Sequence, residues 1–212
     1  MKCIDDMVAE LTANSKIRIE RNEMSFPDLG EAVTKKFYKY QHPQWVALRE
    51  LWMLLRGSNL LWTYNSELEN GLPGGEFFID HRSASVVFEL ENKAKMLAQN
   101  PEFSEKDTIL NIGTNRWNRS NNDAVIQIVT SNSTTQMWLY VAQTEWAKLD
   151  LNFEQYVYAM CHFKCRNEWE FYFVNEKYLE VIGSQFLAET CAHNDEVLKY
   201  LFPELDLSKR DF

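Results

Sequence analysis

Sulfur and imidazole side chains that could bind a metal recur in the second half of this 212-residue chain. They are Cys161, His162, Cys165, Cys191 and His193. Structural zinc sites use four such ligands at short, rigid spacings, commonly in CxxC pairs. Here the ligands fall within helical patterns, and Cys161 and Cys165 share a predicted helix face at i and i+4. Buried free cysteine is the commoner state for such residues, so we predict no metal site and no cofactor.

Asp80, His81 and Arg82 fall at a predicted strand-to-helix junction, where a histidine could act as a general base. Adjacent strand residues point to opposite faces, so Asp80 cannot readily orient His81. No serine or cysteine carries a nucleophile motif that would place it beside His81. We therefore predict a solvated helix entry and no catalytic residue, with a small hydrolase that uses His81 as the enzymatic alternative.

Residues 114–122 form a small basic and aromatic stretch that includes Arg116, Trp117 and Arg119. Arginine and exposed tryptophan can stack on nucleic-acid bases. Two arginines in a chain of net charge −9 nevertheless make a poor nucleic-acid footprint. Because Trp and Arg are favoured anchors of protein contacts, we predict that Trp117 and Arg119 form a secondary protein contact. An ordinary surface loop is the alternative.

Negative charge is concentrated in the second half of the chain. Residues 143–206 hold twelve Asp and Glu against five Lys and Arg, which places −7 of the net −9 there. An acidic surface repels nucleic acid and anionic membranes and attracts basic partners. The alternative is an ordinary solvated surface. The carboxylates that we predict to contact a protein partner are Glu145, Asp150, Glu154, Glu168 and Glu170.

Length and composition favour one domain over residues 1–212, with a hydrophobic core that needs no disulfides. The four cysteines fall at no framework spacing, and residues 1–6 do not resemble a signal peptide. No apolar run approaches the roughly 18 residues that span a membrane. We predict a cytoplasmic protein with free thiols and no membrane contact, and its oligomeric state stays open.

Helical spacing dominates the first part of the chain and strand patterns the middle. Helices are predicted over residues 3–13, from Asp28, from Pro43 to Gly57 and from Ser83 or Ser85 to about residue 99. Residues 16–20 could form a short strand. Further strands are predicted over residues 60–64, 76–80, 108–112, 124–130 and 136–142, with a turn over 71–75.

Helical patterns return in the last third of the chain. We predict a helix capped by Asn152, an outer strand over residues 168–173, helices over 176–191 and 195–202, and a polar tail from Pro203. This segregation of elements predicts an α+β fold, with a central, mainly antiparallel sheet flanked by helices and a strand/helix extension at the end.

The order of four short segments resembles the SUKH superfamily, the Smi/Knr-type domain. The segments are LLRGSNLLW at 54–62, GGEFFI at 74–79, IG at 112–113 with DAVIQI at 123–128, and LDLNFEQYV at 149–157. The resemblance covers about residues 26–165, and residues 166–212 extend beyond the typical core. The Leu-Pro pair usual in this family is matched only loosely, by His42-Pro43.

The resemblance implies a protein-binding domain with no catalytic site. Bacterial members are similar to immunity proteins that bind and neutralise polymorphic toxins, often nucleases. We therefore expect a cytoplasmic immunity protein that blocks a basic toxin domain by occlusion. The alternative within the same fold is a regulatory or host-interaction scaffold of the fungal or viral type.

Overall fold

An amphipathic helix opens the part of the chain that the computed structural model describes. The described residues are 2–24, 58–67, 70–78, 98, 108–114, 124–129, 135–141 and 145–212. The first helix, α1 (Lys2–Ala13), buries Ile4, Met7 and Leu11 along one side. Side chains three and four positions apart share a helix face, so the helix predicted from this spacing is confirmed.

A three-stranded antiparallel sheet follows, with β1 (Ile17–Met24), β2 (Ser58–Tyr64) and β3 (Leu72–Phe78) in that order. The strand predicted over 60–64 is confirmed, and β1 extends past the predicted residues 16–20. The turn predicted over 71–75 is wrong, because residues 72–75 belong to β3: Leu72, Pro73 and Gly75 pair with β2, and Gly74 lies at a bulge between them. The turn itself is marked by Gly71, whose φ is +71°.

Two glycines lie inside β3 because other groups approach its backbone closely. The fully buried indole of Trp62 packs on Gly74, where an added Cβ would overlap the ring carbons. An added Cβ at Gly75 would overlap the carbonyl oxygen of Cys165. Glycine within a strand often marks such close approach, so these residues serve packing and not a turn.

The second sheet has four antiparallel strands in the order of the sequence. They are β4 (Thr108–Thr114), β5 (Ala124–Val129), β6 (Thr135–Val141) and β7 (Glu145–Leu149). The strands predicted over 108–112, 124–130 and 136–142 are confirmed where they are described, since residues 130 and 142 lie outside the described residues, and β7 was not predicted. The α+β class with antiparallel strands is confirmed, and the strands of the described residues form two sheets.

The helix predicted after Asn152 is confirmed as α2 (Phe153–His162). Asn152 Oδ1 accepts a hydrogen bond from the Gln155 amide at 2.9 Å, and Gln155 Oε1 accepts one from the Asn152 amide at 2.9 Å. This reciprocal capping box satisfies two donors that a helix start leaves unpaired. The helix ends at His162 and Cys165 has a φ of 53°, so the predicted helix face shared by Cys161 and Cys165 is wrong.

The outer strand predicted over residues 168–173 is wrong, because Trp169–Phe173 form a 3₁₀ helix. Local hydrogen bonds run from the Trp169 amide to the Arg166 carbonyl and from the Phe171 amide to the Glu168 carbonyl, each at 3.1 Å. Trp169, Phe171 and Phe173 are buried. Alternation of aromatic and polar residues therefore reflects burial here, without the strand that it usually indicates.

One long helix replaces the two predicted over 176–191 and 195–202. A 3₁₀ turn (Glu176–Tyr178) and α3 (Leu179–Ile182) precede Gly183, whose φ of +94° separates them from α4 (Ser184–Leu201). The predicted break after residue 191 is wrong. Asn194 stays helical and buried because its Nδ2 donates to the Asn167 carbonyl at 2.9 Å.

The stretch that follows α2 ties the two sheets together along their outer strands. The Glu76 amide donates to the Cys165 carbonyl at 3.1 Å, which covers part of the edge of β3. The Asp150 amide donates to the Phe173 carbonyl at 2.8 Å, and an isolated bridge pairs Leu149 of β7 with Val174. Residues 165–174 therefore set the positions of β3 and β7 relative to α2.

The last helix contacts the junction between α1 and β1. Asn14 Nδ2 donates to the Leu201 carbonyl at 2.6 Å, and Lys16 Nζ donates to the Tyr200 carbonyl at 3.1 Å. The same ammonium lies 3.6 Å from the centre of the Tyr200 ring. Residues near the two ends of the described chain are thus held side by side.

Several predictions concern residues whose structure is not described. The helices predicted from Asp28, over 43–57 and over 83–99 lie outside the described residues, apart from residue 98. The single domain over 1–212 and the family-like core over 26–165 stay predictions. Among the helices that are described, none combines the length and the apolar character needed to cross a membrane.

Candidate protein-binding surface

Two of the predicted contact carboxylates lie exposed at the start of α2. Asp150 directly follows β7, and its Oδ1 accepts a hydrogen bond from Asn175 Nδ2 at 2.7 Å. Glu154 lies in the first turn of α2, where a negative charge is favoured by the helix dipole. Backbone pairing fixes Asp150 and capping fixes the helix start, so the two carboxylates are held on rigid elements.

Glu170 is joined to the same helix through Tyr156. The Tyr156 hydroxyl donates to Glu170 Oε1 at 3.2 Å. Burial first, and then the Glu170 carboxylate, raise the pKa of Tyr156, so the hydroxyl stays protonated and keeps donating. Glu170 therefore lies beside α2, with one carboxylate oxygen engaged in an internal contact.

The other predicted contact residues lie elsewhere. Glu168 has a φ of 62° and precedes the 3₁₀ helix, and its charge acts on Arg166 and Cys191. Glu145 begins β7, four residues before Leu149, which corresponds to about 13 Å along the strand. Trp117, Arg119 and the alternative catalytic residue His81 lie outside the described residues.

Tyr158 is an exposed aromatic residue that the sequence analysis did not select. Its exposed fraction is 49%, and the other large hydrophobic residue described as exposed is Phe186 at 45%. Tyr158 follows Glu154 by four residues, so both lie on the same side of α2. The opposite side carries the buried residues Phe153, Val157 and Met160. Helical spacing was therefore the signal that could have found Tyr158.

Because Tyr156 is on the buried side of α2, Glu170 lies apart from Glu154 and Tyr158. We call Asp150, Glu154 and Tyr158 the α2 surface. Its carboxylates attract cations and accept hydrogen bonds from Arg and Lys. An exposed tyrosine beside them can receive a cation on its ring face. Tyrosine is also enriched among residues that dominate interface energetics. The α2 surface is therefore suited to bind a basic protein.

The thiols around α2 are arranged for packing. All four cysteines are free, and Cys161 and Cys165 are buried. Burial is the main cause that raises the pKa of both thiols, so the reactive thiolate is disfavoured. Within the described ranges, no three His, Cys, Asp or Glu side chains are grouped so that they could hold a metal ion.

The protonation of His162 makes the stability of the fold depend on pH. Burial is the main cause that lowers its pKa, and Lys164 and Lys209 lower it further, whereas the hydrogen bond to the Asp206 carbonyl opposes the shift. The unfolded chain therefore binds this proton more readily than the folded chain. Stability should fall as the pH drops from about 7 through the unfolded pKa of about 6.5.

We expect His162→Gln to reduce this loss of stability at low pH, because glutamine does not titrate. The check is the difference in thermal midpoint between pH 7.5 and pH 5.5 for the two proteins. The matched control is His193→Gln, the same substitution at an exposed histidine of α4, against which the result for His162→Gln is compared. An unchanged difference in His162→Gln would contradict the assignment.

Comparison with known proteins gives no relative of this chain, since no family model, curated protein or solved structure matches it. The resemblance to the SUKH superfamily therefore stays a prediction from the sequence.

Proposed function

We propose that this protein is a non-enzymatic, cytoplasmic binding protein that uses the α2 surface to capture a basic toxin domain. In this role it is an immunity protein, and its target is a nuclease whose basic face binds nucleic acid. The observation that supports this most directly is the pair of exposed carboxylates, Asp150 and Glu154, next to the exposed ring of Tyr158.

Electrostatics supports a fast association with such a target. The chain carries a net charge of −9, and most of that excess lies in residues 143–206. Complementary charge steers diffusional encounter and suppresses wrong partners. A nuclease presents positive charge where its phosphate substrate binds, so an acidic surface competes for the same face.

Inhibition by occlusion needs no chemical step from the binding protein. The carboxylates of the α2 surface replace substrate phosphates as partners of the toxin's Lys and Arg side chains. Tyr158 then supplies an apolar contact that excludes water around those ion pairs, as surrounding residues do at energetic hot spots. The bound toxin cannot reach its substrate while this contact lasts.

Charge reversal on the α2 surface should weaken the complex. We expect Asp150→Lys together with Glu154→Lys to lower the association rate with a basic partner by at least about tenfold at low salt, because steering becomes repulsion. The partner for this test is the product of a toxin gene adjacent to the coding sequence, purified with and without this chain. Surface plasmon resonance at low and high salt provides the rates.

The matched control is Glu189→Lys together with Glu196→Lys, which makes the same change in net charge on the exposed side of α4. The association rate of this control should fall much less than that of the α2 variant. Equal losses in the two variants would mean that only overall charge matters and that the α2 surface is not the contact. Glu170 is a poorer probe, since its reversal would also disturb Tyr156.

A further inference from the structure

Residues 203–212, which we call the strap, return from the end of α4 onto the end of α2. Leu207 is buried, and the neighbouring Leu205 packs against the hydrophobic core. The Asp206 carbonyl lies 2.7 Å from His162 Nε2, and because a carbonyl only accepts, the imidazole donates. The predicted polar tail from Pro203 is therefore wrong, since its apolar side chains pack on the fold.

Two strap side chains occupy a cleft lined by aromatic rings. The guanidinium carbon of Arg210 lies 4.7 Å from the centre of the Tyr172 ring. The ring of Phe212 lies 5.8 Å from that of Phe173 at an interplanar angle of 69°, and 5.3 Å from the His162 ring. The strap thus places a cation and an aromatic ring, two residues apart, into one cleft.

The chemistry of the cleft matches this pair. The Tyr172 hydroxyl donates to Asp195 Oδ1 at 2.7 Å, and this bond increases the electron density of the ring that receives Arg210. Rings face a cation with their negative faces, and they favour edge-to-face contact with a further ring. His162 also lines this cleft, and it follows Tyr158 by four residues along α2.

Side-chain packing and the hydrogen bond from His162 to the Asp206 carbonyl hold the strap on the end of α2. Ser208 bonds to Asp206 at 2.6 Å, and Arg210 Nη1 donates to the carbonyls of Leu207 and Lys209 at 2.6 and 2.8 Å. These bonds are internal to the strap, and residues 208–211 are exposed. A second chain with the same side chains could therefore take the place of Arg210 and Phe212 without breaking a sheet or a helix.

We propose that the cleft formed by His162, Phe163, Tyr172 and Phe173 is a peptide-binding site, and that the strap is its intramolecular occupant. Its ligand is a segment of a partner protein in which an arginine stands two residues before an aromatic residue. The arginine stacks on Tyr172, and the aromatic ring packs against Phe173 and His162. This inference does not depend on the partner being a toxin.

To test this proposal, the two strap side chains are removed from the cleft in the full chain, and a peptide that carries them is added in solution. The variant carries Arg210→Ala and Phe212→Ala, which removes the two occupying side chains and leaves Leu205 and Leu207 in place. The probe is a fluorescently labelled peptide with the sequence of residues 208–212, SKRDF. We expect the variant to bind it about tenfold more tightly than the unsubstituted chain, whose own strap competes at a high effective concentration.

A control peptide with alanine at both probe positions should not bind either protein. Chemical-shift changes on the ring protons of Tyr172 and Phe173 should accompany binding of SKRDF, which distinguishes the cleft from a nonspecific contact with acidic surface. Equal binding by the variant and the unsubstituted chain would overturn the proposal. So would shift changes confined to residues outside the cleft.

Discussion

Replacing Gly75 with alanine is expected to lower the free energy of unfolding by at least about 3 kcal/mol, near the upper end of the overpacking effects seen in well-packed cores. The added Cβ would overlap the carbonyl oxygen of Cys165 and approach the indole nitrogen of Trp62. Neither group can move away without weakening a hydrogen bond. The Cys165 carbonyl accepts the Glu76 amide, and the Trp62 indole donates to the Lys164 carbonyl at 2.8 Å.

Gly71 provides the matched control, because it lies at the start of the same hairpin arm. An added Cβ there meets no atom within 4 Å, although φ is +71°. Gly71→Ala should therefore cost only the backbone term of about 1–2 kcal/mol. Urea denaturation followed by tryptophan fluorescence measures both variants. Equal losses at the two positions would show that backbone conformation, and not close packing, governs Gly75.

Removing the ring of Phe163 should lower the free energy of unfolding by a similar amount. We expect Phe163→Ala to cost about 3–5 kcal/mol, the usual range when a buried aromatic residue is truncated. The ring is fully buried and stacks on Tyr172 at a centroid distance of 4.7 Å. It also meets Phe173 edge-on at 5.8 Å. Alanine would leave a cavity that several rigid rings cannot close.

Thermal and urea unfolding test this expectation, with Tyr158→Ala as the control on α2. Tyr158 is half exposed, so its truncation should stay within about 0.5 kcal/mol of the unsubstituted chain. A loss below about 1 kcal/mol for Phe163→Ala would mean that the surrounding rings collapse into the space. In that case the cleft under the strap would also be less rigid than its geometry indicates.

Local signals in the sequence were sufficient where a segment's own side chains determine its structure. The apolar spacing of α1 and the Asn152 capping box of α2 both act within a few residues, and both helices form as predicted. The strands β5 and β6 also pair antiparallel where the sequence predicts two strands. The α+β class follows from the order of these elements.

Long-range contacts explain the predictions that failed. Gly74 and Gly75 resemble a turn in the sequence, yet they belong to a strand because Trp62 and Cys165 approach them. Asn194 resembles a helix break, yet its amide is satisfied by the distant Asn167 carbonyl. No local pattern contains these partners: Trp62 lies 12 positions from Gly74, Asn167 27 from Asn194, and Cys165 90 from Gly75.

The candidate surface was predictable only in part, for the same reason. Composition identified an excess of acidic residues, and Asp150 and Glu154 do lie together at the start of α2. Tertiary structure decides that Tyr156 holds Glu170 on the buried side of α2, whereas Glu145 lies at the other end of β7. Tyr158 could have been found from helical spacing alone.

The contact between the α1–β1 junction and α4 has a consequence for biosynthesis. The Asn14 side chain cannot form its hydrogen bond until Leu201, 187 positions later, has been synthesised. The Glu76 amide of β3 bonds to the Cys165 carbonyl, and the Trp62 indole bonds to the carbonyl of Lys164, 102 positions away, so both bonds also form late. Such distant pairings make folding slow and leave apolar surface uncovered in the meantime. Met7 likewise contacts the Cys165 thiol, so the buried side of α1 lacks this partner for most of translation, which makes chaperone binding at α1 an expected part of maturation.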